Sequence, residues 1–449
     1  MRSRRQSGGA ARPTDHIEAF EKVLDLVSRP DSIAARMAAR WDGRSPKDVA
    51  NAASAPLFGT AGEWDLPQGV TPKRDLLFLA VGIPDVASLP RDELAQALLR
   101  TLEKPGDLAL RYGFGKGPSG IREWLAARRN ELEGSAIDAE WFQLTNGSAG
   151  AIDLVVRSLI DPGDVIVAEC PTYMGTLHNF RGVRADVRFV PMDREGLDTD
   201  ALAELLAALA TEGRRVKLIY TISAFHNPTG ATLSLARRER LLELAYEHDV
   251  LILDDEAYRD LSFDAPPPRA LSALAGGHGV ITTGTFSKTV ATGVRVGWLH
   301  AQPELLALFG RMRFDMGQNQ IGLRAFGELL AAGWFEPHLE RVRAIYRSKR
   351  DTLHAALERE ASEYLSWDVP EGGFYLWATP RGGVRAEDLW RTAVEEGVVV
   401  NPGSGFLPPG VSDDQRIRIA YAWTPEEQLE EAVRRLRVAC QRVATGDVA

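Results

Sequence analysis

The sequence predicts an α/β fold: a large, mainly parallel sheet covered by helices, followed by a smaller α+β domain. Three observations predict it. Between about residues 140 and 300, short β-branched runs alternate with amphipathic stretches. Those runs are apolar almost throughout, the pattern of strands covered on both faces rather than on one. A length of 449 residues also exceeds what a single small core organises, so two domains are expected.

The chain opens on "MRSRRQSGGAARP" (1–13), which is arginine-rich but followed by no apolar run. That fits a disordered tail over 1–14 rather than a secretory signal. Residues 15–90 are expected to form an N-terminal segment that supplies part of the small domain. Residues 15–41 lack a helix-turn-helix pattern, and "LFGTAGEWDLPQGV" (57–70) is expected to close over a site as a lid, with Trp64 as a wall. A large domain is expected over 91–325. Within it "VIVAE" (165–169), "VKLIYTI" (216–222), "VLILDD" (250–255), "VITTGTF" (280–286) and "VRVGWLH" (294–300) read as strands, with helices over 199–212 and 233–248. Residues 303–360 look mostly helical. "GGFYLWATP" and "RIRIAYAW" fall in a small C-terminal domain expected over 326–449.

A net charge of −9 lacks the basic face that nucleic acid requires. No apolar run approaches the roughly 20 residues that span a bilayer, so no membrane partner is expected. Cys170 and Cys440 stand far apart, and neither they nor the histidines show metal-ligand spacing. No metal is expected, and the setting expected is reducing and cytoplasmic.

Chemistry gathers at the C-terminal ends of the strands, where open α/β sheets bind ligands. In "TTGTFSKTVATGVRVGWL" (282–299) the charges Lys288 and Arg295 stand among small and apolar residues. A desolvated lysine amine can attack a carbonyl, and an arginine fork suits phosphate. "ILDDEAYRDL" (252–261) ends a strand with Asp254 and Asp255, which alternation sends to opposite faces. One of them can then face a pocket and pair with a cation. "SAFHNPTGATLS" (223–234) is a strand end, a tight turn and a helix start, with Asn227 placed to reach a ligand. "TNGSAGAIDLV" (145–155) opens a helix on small residues, whose free N–H groups suit a phosphate.

Together these segments resemble the fold type I pyridoxal-phosphate enzymes, specifically the class I/II aminotransferases and their 2-aminoadipate and broad-specificity branch. The resemblance covers roughly residues 75–440. It rests on "GIP" (82–84), "LRYGFGKGPSGIREWL" (110–125), "GSAGA" (147–151), "CPTY" (170–173), "HNPTG" (226–230), "DDEAY" (254–258), "FSK" (286–288), "VRVGW" (294–298), "EGGFYLW" (371–377), "PGSGF" (402–406) and "RIRIAY" (416–421), in the family's order.

The resemblance implies a seven-stranded-type sheet and pyridoxal 5'-phosphate as cofactor, held through a Lys288 Schiff base. It gives Asp255 to the pyridine nitrogen, and Asn227 and Tyr258 to the ring oxygen. Ser148, the N–H of Ala149, Thr285, Ser287 and Arg295 would hold the phosphate, and Tyr173 would stack on the ring. Tyr112 would reach the phosphate of a neighbouring subunit, implying a homodimer with shared sites. Arg418 would bind the substrate α-carboxylate, with Gly82 and Asn227 beside it and Arg416 only a neighbour. His226 is expected to be a structural turn residue. The function implied is ping-pong transfer of an amino group between an L-amino acid and a 2-oxo acid. The alternative is another reaction on the same fold: β-lyase, racemase, decarboxylase or amino-acid oxidase. Ser148-Ala149-Gly150 departs from the glutamine pair common after the serine in the 2-aminoadipate branch, so that substrate does not follow.

Overall fold

The computed structural model describes residues 32–42, 66–113, 115–408, 411 and 415–448. The expected tail and most of the expected lid, Trp64 included, lie outside the described residues. The chain divides into two units, 1–60 and 61–449. In the first, helix Ile33–Trp41 is capped by Ser32, whose hydroxyl accepts the Ala35 N–H at 3.1 Å.

The strands of the second unit are, in chain order, β1 (Leu77–Phe78), β2 (Phe142–Asn146), β3 (Val165–Cys170), β4 (Asp186–Asp193), β5 (Gly196–Leu197), β6 (Val216–Thr221), β7 (Leu251–Asp255), β8 (Val280–Thr285), β9 (Val296–His300), β10 (Leu365–Trp367), β11 (Tyr375–Pro380), β12 (Val398–Val399), β13 (Asn401–Pro402) and β14 (Ile417–Ala420). The main sheet has eight strands in the order β2-β9-β8-β7-β6-β3-β4-β5. It exceeds the seven-stranded type expected, because the hairpin after β4 adds β5 as a two-residue edge. Its centre is parallel, and β9 runs antiparallel to both β2 and β8.

The apolar runs are explained by cover on both faces. Ile166, Leu218, Leu253 and Ile281 pack with helices Gly147–Leu159 and Pro303–Met312. Their neighbours Val167, Ile219, Ile252 and Val280 pack with helices Thr199–Thr211 and Leu235–Glu247. β9 starts at Val296, two residues later than expected, because Arg295 takes a left-handed backbone (φ 50°) that a strand cannot hold.

The smaller sheet, β10-β11-β14-β13, is antiparallel. It shares a core with helices Phe335–Ala361, Ala386–Glu395 and Glu426–Ala444. β1 pairs in parallel with β12, and the Leu79 carbonyl accepts the Ala420 N–H at 2.7 Å. A segment early in the chain is thereby built into the lobe formed by its last hundred residues. Asp85, just beyond it, is ion-paired with the buried Lys349 of helix Phe335–Ala361.

Candidate active site

Strands β3, β6, β7 and β8 all end at one edge of the main sheet, and the polar residues singled out above follow within a few positions of those ends. Lys288 lies just past β8, half-buried, and its Nζ donates to the Gly82 carbonyl at 2.8 Å. The ammonium also sits 5.6 Å from the centre of the Tyr258 ring.

Of the two aspartates ending β7, Asp255 faces this side. It is 5% exposed and accepts hydrogen bonds from the Tyr220 and Thr283 hydroxyls, each at 3.2 Å, and from the Ala257 N–H at 3.3 Å. Those donors are neutral. Burial pushes its carboxyl up to about 6, against the pull of these hydrogen bonds and of the Lys288 charge. Asp254 follows the alternation to the other face. There burial and the nearby Glu256 push it up to about 7, against the pull of Arg238 and Arg259.

A raised carboxyl has a stability consequence of definite sign. Without a cationic partner, Asp255 burdens the folded protein when ionised. That burden is absent below about pH 4, grows to about pH 6 and is complete above it. Asp255→Asn is therefore expected to stabilise the cofactor-free protein by roughly 3 kcal/mol at about pH 7.5 and by roughly 1 kcal/mol at about pH 4.5. Thermal unfolding of the two apoproteins at both pH values measures this, and an equal effect at the two would refute it.

The start of helix Gly147–Leu159 has no side-chain cap, and its first residue has φ 73°. Glycine is required twice over there, since a Cβ would also fall 2.5 Å from Nη2 of Arg295. Arg295 reaches across this helix start, donating to the Asn146 carbonyl at 3.0 Å and the Ser287 hydroxyl at 3.3 Å. The Thr285 and Ser287 hydroxyls are 2.9 Å apart. Ser148 is half-buried and Ala149 exposed. Uncapped N–H groups, a guanidinium and two hydroxyls form a cradle for a phosphate. With a buried carboxylate that has only neutral donors, they fit the two ends of pyridoxal phosphate.

On the other flank, Asn227 is buried, and its Oδ1 accepts from Arg418 Nη1 at 2.9 Å. Arg418 is fully buried on β14. Its Nη2 donates to the Ala80 carbonyl and to Asn401 Oδ1, both at 2.8 Å. The Tyr258 hydroxyl is 2.9 Å from that of Tyr375. Tyr173 caps helix Met174–Gly182, its ring against Gly175. Arg416 lies just before β14, half-buried, in a groove between the two lobes. Tyr112 is 72% exposed.

His226 is 1% exposed, and its Nε2 lies 3.0 Å from Oε1 of the equally buried Glu169, off the line of a good hydrogen bond. Nδ1 faces the Thr229 hydroxyl at 3.0 Å. The ring thus braces the turn that carries Asn227. Tyr220, Thr283, Tyr375 and Asn401 were missed from the sequence. Only Tyr220 left a signal there, an ionisable side chain in an otherwise apolar central strand.

Among the described residues no three His, Cys, Asp or Glu side chains group as metal ligands. Nor is any described helix long and apolar enough to cross a membrane.

The chain matches the family model for aminotransferase class I and II over residues 74–436. It is 34% identical to aromatic-amino-acid aminotransferase 1 of Thermococcus litoralis, over 81% of this chain and 87% of that protein. It is also 34% identical to the 2-aminoadipate transaminase of Thermus thermophilus, over 82% and 90%. Its fold matches the α-aminoadipate aminotransferase of Thermus thermophilus, solved with N-(5'-phosphopyridoxyl)-L-leucine. The TM-score is 0.80 at 32% identity, covering 90% of this chain and 100% of that one.

Proposed function

This chain belongs to the class I and II aminotransferases, and on that premise we propose that the sheet-edge site is where it exchanges the amino group of an L-amino acid with a 2-oxo acid. The enzyme uses pyridoxal phosphate. The observation that supports this reading is that the Lys288 amine and the Arg418 fork bond to carbonyls two residues apart, Gly82 and Ala80, each at 2.8 Å.

Ser148, the Ala149 N–H, Thr285, Ser287 and Arg295 would hold the phosphate. Asp255 would hold the protonated ring nitrogen, Asn227 and Tyr258 would hold the ring hydroxyl, and Tyr173 would lie against the ring. When bound, the cofactor supplies an electron sink for the bond electrons of the amino acid's α-carbon. Lys288 would anchor the cofactor, and its amine is placed to serve as the base for the α-proton of the amino acid. Arg418 holds the α-carboxylate and so fixes which α-bond is aligned for cleavage. The Gly82 backbone borders the substrate.

Residues 91–325 act as the large cofactor-binding domain. Residues 326–449, joined by part of 15–90, act as the small one. The exposure of Tyr112 in a single chain supports a homodimer in which it completes the partner's phosphate site. The cysteine usage supports a cytoplasmic setting.

An absorbance scan of the purified enzyme tests this, aerobic and anaerobic, with single amino acids and no 2-oxo acid. Stoichiometric conversion of the visible band in one half-reaction supports transamination, and the active amino acids identify the donor. A band that persists while ammonia, keto acid or peroxide accumulates catalytically overturns it.

A further inference from the structure

Three of the groups just assigned converge on a side chain that has no role in that assignment. Tyr375, the first residue of β11, is 1% exposed, and its hydroxyl lies 2.9 Å from that of Tyr258. Its ring faces Arg418, with the guanidinium carbon 4.4 Å from the ring centre. The same phenol fills the space where a side chain on Gly82 would lie, so it packs directly on the residue whose carbonyl holds Lys288.

We propose that Tyr375 is a positioning residue that directs the proton of Tyr258 and sets the plane of Arg418. Two phenols 2.9 Å apart share one hydrogen bond. With Tyr375 as the donor, the proton of Tyr258 is left to point at the ligand, and the chain of donors strengthens it. A guanidinium against an aromatic face is attracted by the ring's negative centre. Phe406 offers Arg418 a second ring at 4.6 Å. Two rings against one planar fork restrict the orientations it can present to a carboxylate. The steric part explains the glycine at 82: any larger residue would push the phenol away from both partners.

This rests on the reading of Tyr258 and Arg418 given above, and the test separates the two. Holoenzymes of Tyr375→Phe, which keeps the ring, and Tyr375→Met, which keeps only its bulk, are compared with wild type and Arg418→Lys. One readout is the pH midpoint of the visible band without substrate. The other is the affinity for hexanoate, a carboxylate that cannot react, titrated through the same band. Steady-state KM and kcat for the amino donor are taken alongside.

The Phe variant is expected to bind hexanoate within about twofold of wild type while its pH midpoint rises by about half a unit or more. The Met variant is expected to lose about tenfold in hexanoate affinity and to raise KM similarly, with kcat changing less. A wild-type midpoint in the Phe variant, or wild-type hexanoate affinity in the Met variant, overturns the proposal. If Arg418→Lys also leaves hexanoate binding untouched, the assignment of Arg418 itself is wrong. If only Arg418→Lys loses affinity, the failure is confined to Tyr375.

Discussion

Lys288→Ala is expected to lower turnover by about four orders of magnitude or more while the protein remains folded. The two halves of that result have separate causes. In the proposed mechanism the amine is both anchor and base, and among the described residues Lys288 is the lysine that meets the Gly82 carbonyl and acts on Asp255. The fold should survive because Lys288 is only half-buried, and the hydrogen bond lost is to one backbone carbonyl. The phosphate cradle does not include the amine, so pyridoxal phosphate should still bind, without the visible absorption of its lysine-linked form. Single-turnover assays, fluorescence titration of the cofactor and thermal unfolding together measure this. Activity within tenfold of wild type would remove Lys288 from the chemistry and the whole site with it.

The second large effect is expected at Arg418. Alanine there removes the donor that Arg418 supplies to the buried oxygens of Asn227 and Ala80 and to half-buried Asn401. The cost is about 3 kcal/mol of stability. The loss for an amino-acid substrate is larger in rate, about a thousandfold in kcat/KM, from removing a desolvated, hydrogen-bonded charge. Arg418→Lys keeps the charge but cannot reach all three acceptors, so an intermediate loss of about a hundredfold is expected. A primary amine that lacks a carboxylate serves as the control, because wild type and variants should process it equally slowly. If kcat/KM falls by the same factor for that amine, Arg418 is structural and does not read the carboxylate.

The central strands were legible because a parallel sheet covered on both faces writes itself as unbroken apolar runs. β4 was harder. Its residues are mostly half-buried near the sheet edge, so its pattern is mixed. Strand β2, a short mixed "FQLTN", carried too little periodicity to stand out. At the site, many of the residues the sequence singled out mark a turn or a helix start, such as Asn227, Ser148 and Lys288. The residues missed act through strand register. Tyr220 meets Asp255 only because β6 pairs with β7 so that Tyr220 lies opposite Leu253 and Thr221 opposite Asp254. Asn401 meets Arg418 because the two are register partners across β13 and β14. Tyr375 meets its neighbours through the pairing of β11 with β14. Register between distant strands is set by tertiary packing, and no local window of sequence carries it. The contact of Glu169 with His226 was hidden for the same reason, since the end of β3 and the turn after β6 meet only in the assembled sheet.

The pairing of β1 with β12, and the hydrogen bond between Arg418 and Ala80, 338 residues apart, bear on how the enzyme comes into being on the ribosome. All eight strands of the main sheet lie between residues 142 and 300, so that sheet can assemble while the last third of the chain is still being made. The segment Leu77–Asp85 cannot settle until β12, β14 and Lys349 have emerged. Contacts so far apart in sequence form late, because their loop-closure entropy is met only after the intervening parts are ordered. During synthesis the chain therefore carries a short waiting strand whose backbone is still unpaired. Termination short of residue 398 would leave the main sheet without Arg418 and without the strand that pairs with Leu77–Phe78.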